Sequence, residues 1–224
     1  MSSDNSVLDA LTGLINRKGF EEKLKAAVLH AQENDRPLSL GFFDMDSFKR
    51  LNDGLGHEAG DMIIKAVGDI VQRMAGGKAI VFRYGGEEYT LIFADTEREE
   101  AFLVMEGIRA EIERQTSFSD GKKQVNAQLT ITGGIASIPI DAQDENELLR
   151  KVDQALYRGK VSGKNKIVLA YEEKMAPKTS HYTLTQLERL SELAKEQGVG
   201  EAVLLREALD NLLIKYKHAF APRK

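Results

Sequence analysis

The chain has no cysteine and no tryptophan among its 224 residues. The first absence excludes disulfides, thiolate metal sites, cysteine nucleophiles and cysteine-linked haem. No apolar run approaches the roughly 18 residues of a membrane helix. The start, MSSDNSVLDA, carries neither a basic n-region nor an apolar h-region, so no secretory signal is read there. A cytoplasmic protein without a membrane partner is the expectation. Strong charge of one sign is also missing: 31 Lys+Arg face 35 Asp+Glu, for a net charge of −4. The balance is uneven, with residues 172–224 at +1 and the remainder at −5. A −5 domain meets a polyanion only through intervening cations, and a +1 tail lacks the electrostatic footprint of strong DNA binding. What is present is globular: 42% apolar and 29% charged residues, enough for a substantial core and one to two domains.

Helical and extended periodicities alternate over the first 170 residues. Arg17–Glu33 carries Phe20, Leu24, Ala27, Val28 and Ala31 at helical spacing and stops at Asn34-Asp35-Arg36-Pro37. Leu38–Asp44 reads as a buried strand, and Glu58–Met74 as a helix. Ala79–Tyr84 and Glu88–Phe93 are short apolar strands parted by Gly85-Gly86, a type I′ hairpin signal. Thr96–Gln115 reads as a helix, Gln124–Ile138 contains a strand, Asp144–Gly159 opens on an Asp144…Glu147 capping box, and Lys166–Ala170 is a last strand. Strands and helices mix, yet one connection is a hairpin. That favours an α+β sandwich with a mainly antiparallel sheet.

Two acidic features stand out: Asp44 and Asp46 at the end of an apolar strand, and Glu87 and Glu88 after the diglycine. If the hairpin pairs beside Leu38–Asp44, their carboxylates meet at one end of a sheet. Clustered carboxylates repel unless a divalent cation sits among them. Oxygen ligands with open positions suit Mg²⁺ bridged to substrate phosphates, and two such ions can activate a hydroxyl and stabilise a leaving pyrophosphate. A lone DxD or Gly-Gly-Glu-Glu is usually solvated turn chemistry, so the joint appearance carries the weight.

Five elements in order over residues 8–170 resemble the GGDEF family, the diguanylate cyclases. They are Asp9-Ala10-Leu11-Thr12-Gly13-Leu14-Ile15-Asn16-Arg17, the stretch from Asp44 to Asp53, Gly56-His57-Glu58-Ala59-Gly60-Asp61, Arg83-Tyr84-Gly85-Gly86-Glu87-Glu88-Tyr89, and the run from Val152 to Asn165. The resemblance implies a palm-like nucleotidyl-cyclase fold. It implies condensation of two GTP into cyclic di-GMP with release of two pyrophosphates. Carried over by position, Asp44, Glu87 and Glu88 with the Met45 carbonyl are the metal ligands, for Mg²⁺ or Mn²⁺, two per active site. Glu87, Asp44 and Lys49 are the catalytic set, with Glu87 the candidate base. Asn52 and Asp61 resemble the guanine-reading pair, and His57 lies in the same pocket. Ser47 and Phe48 cover the phosphates through backbone N–H groups, while Lys49, Lys160 and Lys164 stabilise phosphate charge. Asp46 reads as structural.

Departures accompany the match. The RxxD product-inhibition position is occupied by Gly76-Gly77-Lys78-Ala79, so inhibition there is expected to be absent. Lys164 stands where the family has Arg, losing bidentate phosphate geometry. Thr132-Gly133-Gly134 stands for a usual Ser-Ile-Gly run, and Gly159 for a usual Ala; these are expected at most to slow the enzyme.

The organisation expected is a cyclase domain at 1–171, a linker at 172–178, a second module at 179–218 and a tail at 219–224. In the second module Thr179–Leu184 alternates as a strand, Thr185-Gln186-Leu187-Glu188 reads as a capping box, and Leu187, Leu190, Leu193 and Ala194 form a stripe. Glu201–Tyr216 reads as a second helix with apolar Ala202, Leu204, Leu205, Ala208, Leu209, Leu212 and Leu213. One strand and two helices cannot bury their faces alone. The pattern resembles the ribbon-helix-helix family, dimers that pair strands from two chains and commonly bind DNA through the ribbon. The DNA-facing candidates, Thr179, His181 and Thr183, include no Arg or Lys, so a homodimer without DNA is favoured. The competing expectation is a DNA-binding transcriptional regulator whose GGDEF domain senses or supplies guanine nucleotide. With this division no room is left for a sensor domain, so regulation is expected through the tail, the dimer level or expression.

Overall fold

Leu38–Met45 forms β1, and its alternation builds the core. Leu38, Leu40 and Phe42 face one side of the sheet, while Phe43 and Met45 face the other, all buried. The computed structural model describes residues 7–119, 123–170, 180–197 and 200–215, apart from the side chains of 203, 206, 207, 210, 213 and 214. The expected linker at 172–178, Thr179 and the tail at 219–224 lie outside the described residues.

In chain order the elements of the first unit are α1 (Arg17–Asn34), β1, α2 (Phe48–Leu55), α3 (His57–Ala75), β2 (Ile80–Gly85), β3 (Glu88–Ala94), α4 (Arg98–Arg114), β4 (Ser117–Ser119), β5 (Gln124–Asn126), β6 (Ile131–Ile138), α5 (Glu145–Val161) and β7 (Lys166–Leu169). Five strands make one sheet in the order β2-β3-β1-β6-β7. All its pairings are antiparallel except β6–β7. The short β4–β5 hairpin stands apart. One face of the sheet is covered by α1 and α5, through Phe20, Leu24, Val28, Leu148, Val152 and Leu156. The other is covered by α3 and α4, through Ile63, Val67, Met105, Ile108 and Ile112. This is an α+β architecture with a mainly antiparallel sheet between two helical layers.

Glycine decides how closely α5 approaches. A β-carbon on Gly134 would lie 2.4 Å from both the Val152 carbonyl oxygen and the Leu156 nitrogen, so helix backbone rests directly on strand backbone. Two departures noted in the sequence explain each other here. A β-carbon on Gly159 would lie 2.6 Å from Thr132 Cγ2, so the threonine methyl takes the space an alanine would need.

The Gly85-Gly86 turn is not of type I′, which requires φ > 0 at both central residues. Gly86 has φ 44° but Gly85 is extended and ends β2, and the ladder is irregular between Arg83 and Gly85. The turn residues are therefore Gly86 and Glu87, one step later than expected. A further helix, α2, stands where only a motif was read.

The chain divides into two units, Met1–Glu172 and Glu173–Lys224. In the second, α6 (Leu184–Gln197) and α7 (Glu201–Lys215) pack on each other. Residues 180–183 form no strand, and Leu184 already opens α6. The physical reason is pairing: an isolated strand has no ladder until a second chain supplies one. The α6 cap is Thr183, not Thr185. Thr183 Oγ1 accepts from the Gln186 N–H at 3.2 Å and Gln186 Oε1 accepts from the Thr183 N–H at 3.0 Å, a reciprocal capping box two residues earlier than expected. Within this unit Ala194 is buried, while Leu184 is 80% exposed and Leu187, Leu193, Leu209 and Leu212 are also exposed.

Candidate active site

The β1–β3 register places Asp44 directly opposite Glu88. Side chains on such a rung lie about 4.5–5.5 Å apart at Cβ, so two carboxylates share one end of the sheet. Glu87 follows in the turn, and its carbonyl accepts from the Met45 N–H at 3.2 Å, tying the turn to the end of β1. Burial, then the neighbouring Asp44 charge, raises the pKa of Glu87 and of Glu88, against the opposing pull of Lys160. The Lys160 ammonium lies 3.0 Å from Asp44 Oδ2. Lys160 comes from the last turn of α5, whose backbone Gly134 admits to the sheet.

Ser47 turns the chain out of β1 in the left-handed region, φ 58°, and precedes α2 without a capping bond from its side chain. The first N–H groups of α2, at Phe48 and Lys49, have no intrahelical acceptor, the ordinary property of a helix start. Lys164, also left-handed at φ 61°, donates from Nζ to Ser47 Oγ at 3.1 Å. Asp46 is occupied by other partners. It accepts from Thr132 Oγ1 at 2.7 Å, Thr130 Oγ1 at 2.8 Å and the Asn165 N–H at 3.1 Å, so it anchors the loop bearing Lys164.

Asn52 on α2 and His57 at the start of α3 meet, with Asn52 Nδ2 3.2 Å from His57 Nδ1. Asp61 lies one turn along α3. Asp61 and Lys49 are exposed and make no side-chain hydrogen bond or ion pair among the described residues. Of the ribbon candidates, Thr183 caps α6 and His181 is exposed.

Sequence reasoning missed the clasp beneath the turn. Arg83 Nη1 pairs with Asp9 at 2.9 Å, while Nη2 and Nε donate to the Gly86 carbonyl at 2.8 and 3.1 Å. Both residues lay inside quoted motifs, and their opposite charges were the available signal. Tyr84 carries Arg17 over its ring at 4.8 Å. An open pocket of about 540 Å³ lies on this side, lined by Asp9, Arg17, Arg83, Tyr84 and the two glycines. A smaller one of about 280 Å³ lies between Glu88, Asp153 and the aromatic residues Phe42, Phe43 and Tyr84.

Among the described residues no three His, Asp or Glu side chains converge into a preformed metal cage. The donor set nevertheless fits a hard divalent cation. Mg²⁺ is held characteristically by one or two carboxylates plus substrate phosphates, and Asp44 with Glu88 on one rung supplies the protein's share.

Residues 6–166 match the family model for the diguanylate cyclase GGDEF domain. The chain belongs to the GGDEF family. Diguanylate cyclase DgcS of Shewanella oneidensis is 35% identical over 163 residues, covering 73% of this chain and 52% of that protein. The crystal structure of the GGDEF domain of DgcB from Caulobacter crescentus in complex with c-di-GMP superposes with a TM-score of 0.69 at 30% identity, covering 77% of this chain and 97% of that one. The active GGEEF domain of a diguanylate cyclase from Vibrio cholerae gives a TM-score of 0.65 at 29% identity, covering 71% of this chain and 99% of that one. The chain spans about a third to a half of the length of the curated relatives it matches. Outside the GGDEF domain, residues 177–217 match the ribbon-helix-helix domain model. Among the described residues no helix is long and apolar enough to cross a membrane.

Proposed function

We propose that this GGDEF protein condenses two GTP into cyclic di-GMP with release of two pyrophosphates, two copies working with their sites face to face. The observation that carries the reading is the Asp44–Glu88 rung with Glu87 in the adjoining turn, one acidic end of a sheet with the Lys160 ammonium against it. Asp44, Glu87, Glu88 and the Met45 carbonyl would hold two Mg²⁺ or Mn²⁺ ions. When bound, these ions lower the pKa of the attacking 3′-hydroxyl and neutralise phosphate charge. Glu87, in the turn beside the Asp44–Glu88 rung, is placed to take the hydroxyl proton. Lys49, Lys160 and Lys164 meet the triphosphate, and Ser47 and Phe48 offer backbone N–H groups. Asn52 and Asp61 read guanine; Asp61 accepts from N1–H and the 2-amino group, donors that adenine lacks. With Gly76 and Ala79 in place of Arg and Asp, product does not inhibit at the RxxD position.

The second module holds the homodimer. Its exposed leucines and unpaired 180–183 segment suit a second copy of the same module. Tethering raises the effective concentration of the second GTP-loaded site. The competing reading, a DNA-binding regulator, is supported by the ribbon-helix-helix match alone. A gel shift at two salt concentrations separates them, since DNA binding through phosphates weakens steeply with salt.

The deciding experiment is incubation of the dimeric protein with GTP, ATP and Mg²⁺, followed by product identification. Cyclic di-GMP from GTP alone supports the proposal. No dinucleotide from a folded dimer defeats it. Truncation at Tyr171 is expected to lower mass to a monomer and activity at low concentration; full activity in a dilute monomer sinks the dimer role.

A further inference from the structure

The Asn52 side chain is held in an unusual way. Its Oδ1 is buried and accepts no hydrogen bond. A β-carbon built on Gly60 would lie 2.1 Å from that oxygen and 2.9 Å from the amide carbon. Cβ atoms do not approach other atoms so closely, and the obstacle is a short, two-torsion side chain rather than the far end of a flexible one. On its other side the amide nitrogen reaches His57 Nδ1 at 3.2 Å, donating when the imidazole carries its proton on Nε2. Asn52 is thus gripped between an imidazole and the bare Cα of a glycine.

Gly60 sits in the first turn of α3, its N–H donating to the Gly56 carbonyl, with no positive φ. Conformational freedom therefore does not account for it, and alanine is the better helix former there. Space accounts for it. Resting on the proposed guanine-reading role of Asn52, we infer that Gly60 and His57 are positioning residues that set the orientation of the Asn52 amide and so fix base discrimination. A side chain at 60 turns the amide away. Hydrogen bonds weaken steeply once their angle is lost, so the base contact fails while the phosphate contacts persist. His57 then acts through Asn52, a different role from the pocket-lining one its motif suggests.

The test is calorimetric titration of the full chain with GTP and with ATP, using Ca²⁺ in place of Mg²⁺ to block turnover. Asn52→Ala is expected to lower the GTP-to-ATP affinity ratio about tenfold. Gly60→Ala lowers it about three- to tenfold, and His57→Ala lowers it in the same direction. In the Asn52→Ala background both substitutions leave the ratio unchanged, because the oxygen and nitrogen they act on are gone. Thermal unfolding gives a second readout that survives poor folding of one variant. Gly60→Ala lowers the Tm of the wild-type chain and does not lower that of Asn52→Ala. Gly54→Ala, whose β-carbon meets nothing within 4 Å, leaves the ratio unchanged as a helix-glycine control. An unchanged ratio in Gly60→Ala, or an equal fall in both backgrounds, overturns the positioning role. An unchanged ratio in Asn52→Ala instead removes the guanine-reading role beneath it.

Discussion

Asparagine at position 9 tests what holds the turn that carries Glu87. Asp9 accepts from the Thr12 N–H at 2.8 Å and Thr12 Oγ1 at 2.7 Å, and both its oxygens accept from Arg83 Nη1 at 2.9 and 3.0 Å. Arg83 passes the restraint to the Gly86 carbonyl. Burial alone would raise the Asp9 pKa, but the bonds from Thr12 and Arg83 and the guanidinium charge outweigh it and hold the carboxyl below its usual value. Asp9→Asn keeps the shape and removes the charge. Exposed pairs are worth about 0–1 kcal/mol, and breaking a fully buried pair costs about 3–5 kcal/mol. With side chains 13% and 22% exposed, this pair falls between, at about 2 kcal/mol. For a unit of this size that is about 4–8 °C in Tm. A lowered folded-state pKa gives stability that is present above the unfolded value, about 3.9, and is lost as pH falls through the folded one. Thermal unfolding followed by circular dichroism should therefore show the full gap at pH 7 and a closing gap below about pH 4. A gap under about 0.5 kcal/mol at pH 7, or one that widens in acid, refutes the reasoning.

Three further outcomes are expected. Gly134→Ala forces α5 off the sheet and destabilises by about 1–3 kcal/mol, read as a fall in urea midpoint, with Gly134→Ser worse. Glu87→Gln abolishes cyclic di-GMP formation yet raises Tm at pH 7 in the metal-free protein, since the raised carboxyl destabilises the fold as pH rises through its folded value; the gain should vanish near pH 4. Lys160→Met removes the ammonium beside Asp44, so Mn²⁺ alone, followed by the loss of its free-ion paramagnetic signal, binds about 5–30-fold tighter, while GTP binds more weakly; looser Mn²⁺ binding would contradict the assignment of Asp44.

The helices α1, α3, α4 and α5 were legible because each is a long apolar pattern with one clear period, and the five strands of the main sheet because each is an apolar run bounded by turn or polar residues. The eight residues of α2 were not, since its stripe of Phe48, Leu51 and Leu55 is only two turns long and lies inside a polar motif. The turn misled because two adjacent glycines match type I′, while the bulge at Tyr84 spends one of them inside the strand. Thr183 and Thr185 both begin plausible capping boxes, and only the helix start separates them. The residues nominated for the site lie near one end of the sheet by register and by helix position. What fixes them there was not readable, because the partners of Asp46 are remote: it is tied to Thr130 before β6, to Thr132 on β6 and to Asn165 after α5. Chain proximity carries no trace of such pairs.

The three bonds to Asp46 also bear on how this protein can vary. The turn at Ser47 and the loop with Lys164 arrive from opposite ends of the domain, yet one carboxylate fastens both to β6. Drift in either loop is transmitted to the other through that carboxylate and through the Lys164–Ser47 hydrogen bond. Substitutions that reshape the Ser47 side are therefore tolerated only together with matching change around Thr132 and Asn165. The two loops are mechanically one unit, although more than a hundred residues separate them in the chain.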